Sequence, residues 1–263
     1  MKLDPHIDLS LKQRLLLFIK EYWDVFRSKG VEIPIQGYEM IIDTGEHKPI
    51  AVKKPHYGLH EAPIMQKTID TLIQLKHIIP DSLSPWGFRI TLAPKPHQEN
   101  VTDIDEYVWR FCINYIRLNK ITRPAEYPIP RCDDAVMYGF GDAEFYILLD
   151  AFSGYHQVKL SPASQAKTAF YAPHGRKYIW LVMPFGLRNC PTLFIAMMHD
   201  LKEIWTEMFK VKGITPSQHE GTTVIMDDTF LFAITIDHAF VILESVCIVA
   251  RKYHLTWKLK KCR

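Results

Sequence analysis

Ten residues constrain this chain more than any others: 223–232, TVIMDDTFLF, set two adjacent carboxylates inside a run that is otherwise apolar or β-branched. Val, Ile, Thr and Phe suit a strand packed on both faces, where an ionised Asp is costly unless it is paired or holds a cation. Successive strand side chains point to opposite faces, so Asp227 and Asp228 serve one site only if the chain turns tightly at the pair. The run is therefore expected to fold back as a hairpin. Asp150 offers a third carboxylate at the end of another apolar strand, 145–149. Three acids brought together from two strands would make a hard, oxygen-rich, negative site of the kind Mg²⁺ prefers. Without a cation, their mutual repulsion should make at least one of them titrate high. The same letters also allow a plainer reading, in which each Asp only caps a turn beside a short strand.

Periodicity supplies the surrounding elements. Leu11, Leu15, Phe18, Ile19, Tyr22 and Phe26 share one helical face, and Met65, Ile69, Leu72 and Ile73 mark a second helix over 62–77. A short strand is expected at 38–43, followed by an extended Pro-rich linker over 48–60. Residues 88–93 and 108–113 read as two strands joined by a long polar loop, and 157–160 as a further short strand. A helix starting near Pro191 carries Leu193, Met197, Leu201, Trp205 and Met208 on one face. Ile242, Val246, Val249, Ala250 and Tyr253 mark a last helix that starts near His238. Helices and strands follow one another without regular alternation, which gives an α+β fold.

A chain of 263 residues with 48% hydrophobic content can bury one large core or two closely packed ones. Its net charge of +3 is too small to imply nucleic acid by itself. The last thirteen residues, RKYHLTWKLKKCR, hold six Lys or Arg and no acid; they face phosphates or form a solvated basic surface. Five cysteines, with no CxxC pair and no His at zinc spacing, read as the reduced thiols of an intracellular protein. The amino end is no signal peptide, and no apolar run reaches the roughly 18 residues of a membrane helix, so the chain reads as soluble, with no membrane partner.

The segment FYILLDAFSGYHQ, 145–157, resembles the first palm motif of reverse transcriptases in gypsy-type long-terminal-repeat retrotransposons. Further matches follow in order: SPWGF at Ser84, WRFCINYIRLNK at Trp109, YPIPR at Tyr127, KTAF at Lys167, MPFGL at Met183, IMDD at Ile225 and KKC at Lys260. The resemblance implies the fingers and palm of a right-hand polymerase, with an antiparallel palm sheet backed by helices. It divides the chain into an N-terminal extension (1–58), fingers with the start of the palm (59–144) and palm (145–263, with a finger insert at about 161–183). The implied activity is RNA-directed DNA polymerisation, transferring a nucleotide from a dNTP to a primer 3′-hydroxyl on an RNA or DNA template. Two Mg²⁺ ions, or Mn²⁺ in their place, would be held by Asp150, Asp227, Asp228 and the backbone carbonyl of Ala151.

The resemblance also implies a nucleotide-binding set of Lys95, Arg110, Ala151, Phe152, Tyr155, Phe185 and Gly186. Lys95 and Arg110 match a basic pair that grips the triphosphate. Tyr155 matches the aromatic gate that excludes a 2′-hydroxyl, although elsewhere it would read as a core aromatic. Phe185, with Gly186, matches a contact to the incoming nucleotide, and could equally be core. Lys260 or Lys261 is the candidate general acid for departing pyrophosphate.

Three departures stand out. Ile225 replaces the usual Tyr or Phe of the IMDD motif, the 94–107 loop is long and acidic at Asp103, Asp105 and Glu106, and the sequence stops at Arg263, where such polymerases continue. Thumb, RNase H and integrase are thus expected as further parts of a Pol polyprotein, in the cytoplasm, a virus-like particle or the nucleus. The alternative is a catalytically silent remnant that keeps the palm fold and binds nucleic acid. Oligomeric state is not readable.

Overall fold

Apolar alternation in 145–150 and 221–233 produces the sheet on which the three acids sit. In a computed structural model that describes residues 7–27, 33–94, 109–128, 143–217 and 219–263, the chain forms two units. The first comprises Met1–Tyr38, Ala125–Gln157 and Pro191–Arg263; the second comprises Glu39–Pro124 and Val158–Cys190.

The elements of the first unit are α1 (Leu9–Glu21), β1 (Phe26–Arg27), β2 (Phe145–Asp150), α2 (Cys190–Val211), β3 (Gly221–Ile225), β4 (Asp228–Ala233), α3 (Ile236–Tyr253) and β5 (Trp257–Lys258). Strands β3, β4 and β2 make an antiparallel sheet in that order, with β4 central. Helix α3 packs on β4 and β2, burying Ala239, Ile242, Leu243, Val246, Val249 and Ala250. Its start is capped by Thr235, whose side chain accepts from the His238 amide, and its end by His254 in the left-handed region at φ 63°. Helix α2 is tied to β3 by the buried Trp205 indole, which donates to Thr222 Oγ1 at 2.9 Å. Fold class and the helix-backed antiparallel sheet therefore follow the sequence reading.

The N-terminal helix is shorter than its periodicity implies. Asp8 caps α1 by accepting from the Leu11 amide, but regular helix ends at Glu21, and Phe26 lies in a strand parallel to β5. Ion pairs hold this segment to α3: Arg14 reaches Asp237 at 2.6 Å, and Arg251 grips Asp24 with two nitrogens at 2.6 and 2.7 Å over the Tyr22 ring. An apolar cavity of about 420 Å³ remains among α1, β2 and α3, and Phe145 and Ile147 on its wall are only half-buried. Of the expected stripe of α2, Met197, Leu201 and Trp205 are buried, joined in the core by Phe194, Met198 and Phe209, whereas Leu193 and Met208 are half-buried.

In the second unit the strands Phe88–Pro94 and Trp109–Ile113 pair antiparallel, Ile90 opposite Ile113, inside a five-stranded sheet. The long loop joining them lies outside the described residues. The strand expected at 38–43 is confined to Glu39–Met40, which pairs in parallel with Lys159–Leu160. The Pro-rich segment is extended and docked: Val52 N donates to Gly87 O, and Gly87 N to Ile50 O. The tightness of SPWGF follows from packing, because a Cβ on Gly87 would stand 2.5 Å from the Tyr171 ring. Cys112, Cys190, Cys247 and Cys262 are free thiols, and no helix among the described residues is long and apolar enough to cross a membrane.

One buried amide braces the loop after β2. Gln157 Nε2 donates to the carbonyls of Phe152 and Thr256, both at 3.0 Å, and its Oε1 accepts from the Thr256 amide at 2.8 Å. Gln157→Leu, which leaves these buried groups unpaired, is expected to lower the unfolding free energy by about 3 kcal/mol in a urea titration.

Candidate active site

The hairpin that the sequence demands is a two-residue turn. Ile225 pairs with Asp228, so Met226 and Asp227 form its tip. Met226 adopts φ 54°, a left-handed conformation that a residue other than Gly takes only under constraint. The turn leaves Asp228 at the start of β4, where its register partner is Asp150 at the end of β2. Residues facing each other across antiparallel strands have Cα atoms about 4.5–5.5 Å apart. Asp227 is joined to the same strand end through its carbonyl, which accepts from the Ala151 amide at 3.1 Å. Acids 77 positions apart along the chain thus meet at one sheet edge.

Electrostatics at this edge match the expectation of crowded charge. Asp227 keeps exposed surface at the tip, yet protein packed round its carboxyl strips part of its hydration. That loss, ahead of the charges of Asp228 and Asp150, raises its pKa. Asp228 is raised too, first by burial and then by Asp150. The compensating charge is Lys261, whose Nζ donates to Asp150 Oδ2 at 2.7 Å and whose own pKa is raised chiefly by that bond.

Lys261 arrives there by strand-like pairing. Leu148 and Arg263 exchange both backbone hydrogen bonds, at 2.9 and 3.1 Å, which places Lys261 level with Asp150. Phe152 N donates to Thr256 O at 2.9 Å, and Ala151 bridges to Trp257, so the chain from Thr256 to Arg263 runs back along the whole acidic strand end. Lys260 is exposed, and among the described residues it has no bond to the acids.

Among the described residues no three His, Cys, Asp or Glu side chains close into a ready-made metal cage. The acids form an open row instead, which suits Mg²⁺, a cation usually held by one or two carboxylates together with water and substrate phosphates. The Lys261 ammonium already seated on Asp150 shows that the row accepts positive charge. The residues therefore fit such a cation.

Ala151 is buried beside the acids, and Phe152 is half-buried with Lys258 Nζ 5.7 Å from its ring centroid. Tyr155 is half-buried and meets the Phe194 ring edge-on at 5.7 Å. Gly154 allows that approach, since a Cβ there would lie 2.8 Å from Phe194. Arg110, Phe185 and Gly186 belong to the second unit and are exposed; Lys95 lies outside the described residues. Gly186 adopts φ 92° while its carbonyl accepts from Asn119 Nδ2 at 2.8 Å, a turn that explains the Gly of MPFGL. Sequence reasoning missed Gln157 and the Lys261–Asp150 bond. A buried Gln carries no pattern of its own, and the bond depends on a register that letters do not encode.

Comparison with known proteins places the chain in a family. A family model described as reverse transcriptase (RNA-dependent DNA polymerase) matches residues 95–263. The retrovirus-related Pol polyprotein from transposon 412 of Drosophila melanogaster is 29% identical over 95% of the chain, and that from transposon opus 31% identical over 84%. The chain spans about a fifth of those relatives, 19% and 20% of their lengths. The foamy viral protease-reverse transcriptase, solved in complex with double-stranded DNA, superposes with a TM-score of 0.81 at 21% identity, over 98% of this chain and 41% of that one.

The raised pKa values carry a sign. An acid whose folded pKa lies above its unfolded one binds more protons when folded, so stability falls as pH rises through the carboxylate range. Asp227→Asn is therefore expected to raise the thermal midpoint at pH 7 relative to the parent protein, with the gain vanishing as pH falls below the ordinary Asp value of 3.8.

Proposed function

The chain belongs to the reverse transcriptase family, and on that premise we propose that the protein carrying it is an RNA-directed DNA polymerase. It would add deoxynucleotides to a primer 3′-hydroxyl along an RNA or DNA template. The observation that supports this most is the register of Asp150 against Asp228, with Asp227 at the adjoining hairpin tip. In this reading Asp150 and Asp227 are the main cation ligands, Asp228 a weaker one, and the Ala151 carbonyl completes the set.

Bound there, Mg²⁺, or Mn²⁺ in its place, would supply charge stabilisation to both the attacking and the leaving oxygens. The chain's own residues do the rest. Phe152 and Tyr155 form the floor under the sugar, and the Tyr155 ring, held by Phe194, excludes a 2′-hydroxyl. Lys95 and Arg110 grip the triphosphate, Phe185 and Gly186 contact the incoming base, and Lys260 or Lys261 gives a proton to the departing pyrophosphate. The domain division into N-terminal extension, fingers and palm belongs to the same proposal. So do a Pol polyprotein supplying thumb, RNase H and integrase, and an intracellular setting in the cytoplasm, a virus-like particle or the nucleus.

A second reading, a non-catalytic nucleic-acid-binding module, draws on Ile225 in place of the usual aromatic. Primer extension separates the two. With a primed template and dNTPs, a protein carrying this chain is expected to incorporate nucleotides, and Asp227→Asn to cut the rate at least about a hundredfold without loss of folding. Incorporation undiminished in Asp227→Asn would contradict the site, and none by the folded parent would favour the module. Tyr155→Val is expected to raise ribonucleotide use relative to deoxynucleotide use in the same assay.

A further inference from the structure

We propose that Lys261 is a competing counter-cation of the acidic row: its ammonium and a divalent cation claim the same oxygen, Asp150 Oδ2, so Lys261 weakens cation binding and is released when a cation binds. The inference rests on the carboxylates being the cation site, and it goes beyond that reading by giving Lys261 a role before any nucleotide is present.

Geometry argues for it. The Lys261–Asp150 contact is 2.7 Å, with Asp150 only 15% exposed and Lys261 58% exposed at its side chain. A carboxylate so enclosed has little water to fall back on, so it favours one close positive partner. The exposed lysine stem can swing into solvent at little cost, because it fills no core. The backbone pairing of Leu148 with Arg263 keeps Lys261 beside the acids whether or not its ammonium is seated. An exchange of partners at Asp150 then needs no rearrangement of the sheet. It also separates the two adjacent lysines, since Lys260 makes no such contact among the described residues.

Mn²⁺ alone, titrated into the protein and followed by its free-ion electron paramagnetic resonance signal, tests the exchange. Lys261→Met is expected to tighten the Mn²⁺ dissociation constant about threefold to fivefold, the upper end of what a surface ion pair is worth. Lys260→Met removes the same charge without the contact and should shift it less than twofold, and Lys261→Arg should restore the parent value. Without cation, Lys261→Met should melt earlier than the parent, and Mn²⁺ should raise its midpoint by more. An unchanged or weaker Mn²⁺ constant in Lys261→Met, with Asp150→Asn abolishing binding, overturns the Lys261 inference alone. Binding that survives Asp150→Asn would instead overturn the carboxylate site itself.

Discussion

Two carboxylates facing each other across an antiparallel ladder are the constraint on which everything else in this molecule leans. Asp150 and Asp228 are register partners, and like charges placed so are destabilising. The ladder tolerates them because the pairs behind them are favourable: Leu149 with Thr229, Leu148 with Phe230, Ile147 with Leu231. Leu149, Thr229 and Leu231 among them are buried, and the Lys261 ammonium on Asp150 offsets the repulsion further. The hairpin adds strain at Met226, on the order of 1–3 kcal/mol for a bulky residue in the left-handed region. Fold stability is therefore spent locally to hold negative charge at one edge.

Three supports make that expenditure possible. Helix α3 covers one face of β4 and β2, and Trp205 of α2 anchors β3 through its buried bond to Thr222. The third support is the chain from Thr256 to Arg263, which lies along the end of β2 and delivers Lys261. Gln157 locks this third support to the loop that carries Phe152 and Tyr155, by bonds to both sides of the gap. Packing, polar satisfaction and charge placement thus converge on a few residues around Asp150.

Much of this was legible in the letters. The apolar run broken by Asp227-Asp228 demanded a hairpin, and the strand ending at Asp150 demanded a second edge; both formed. The last helix buries Ile242, Val246, Val249 and Ala250 of the face that its periodicity marked, with Tyr253 at its end half-buried. Where local pattern and tertiary contact disagreed, contact won. Phe26 continues the helical spacing of α1 but is drawn into a pairing with Trp257, and α2 buries Phe194 and Phe209 beside the expected Met197, Leu201 and Trp205 while Leu193 and Met208 stay half-buried. The meeting of Lys261 with Asp150 was illegible for a different reason: it depends on Arg263 finding Leu148, a long-range register with no local signature.

The most direct test is anomalous diffraction from crystals of the protein soaked in Mn²⁺. The account expects a peak within about 2.0–2.3 Å of carboxylate oxygens from both Asp150 and Asp227, at the open edge of the sheet. A fully occupied peak elsewhere, with those two side chains on different faces, would contradict it.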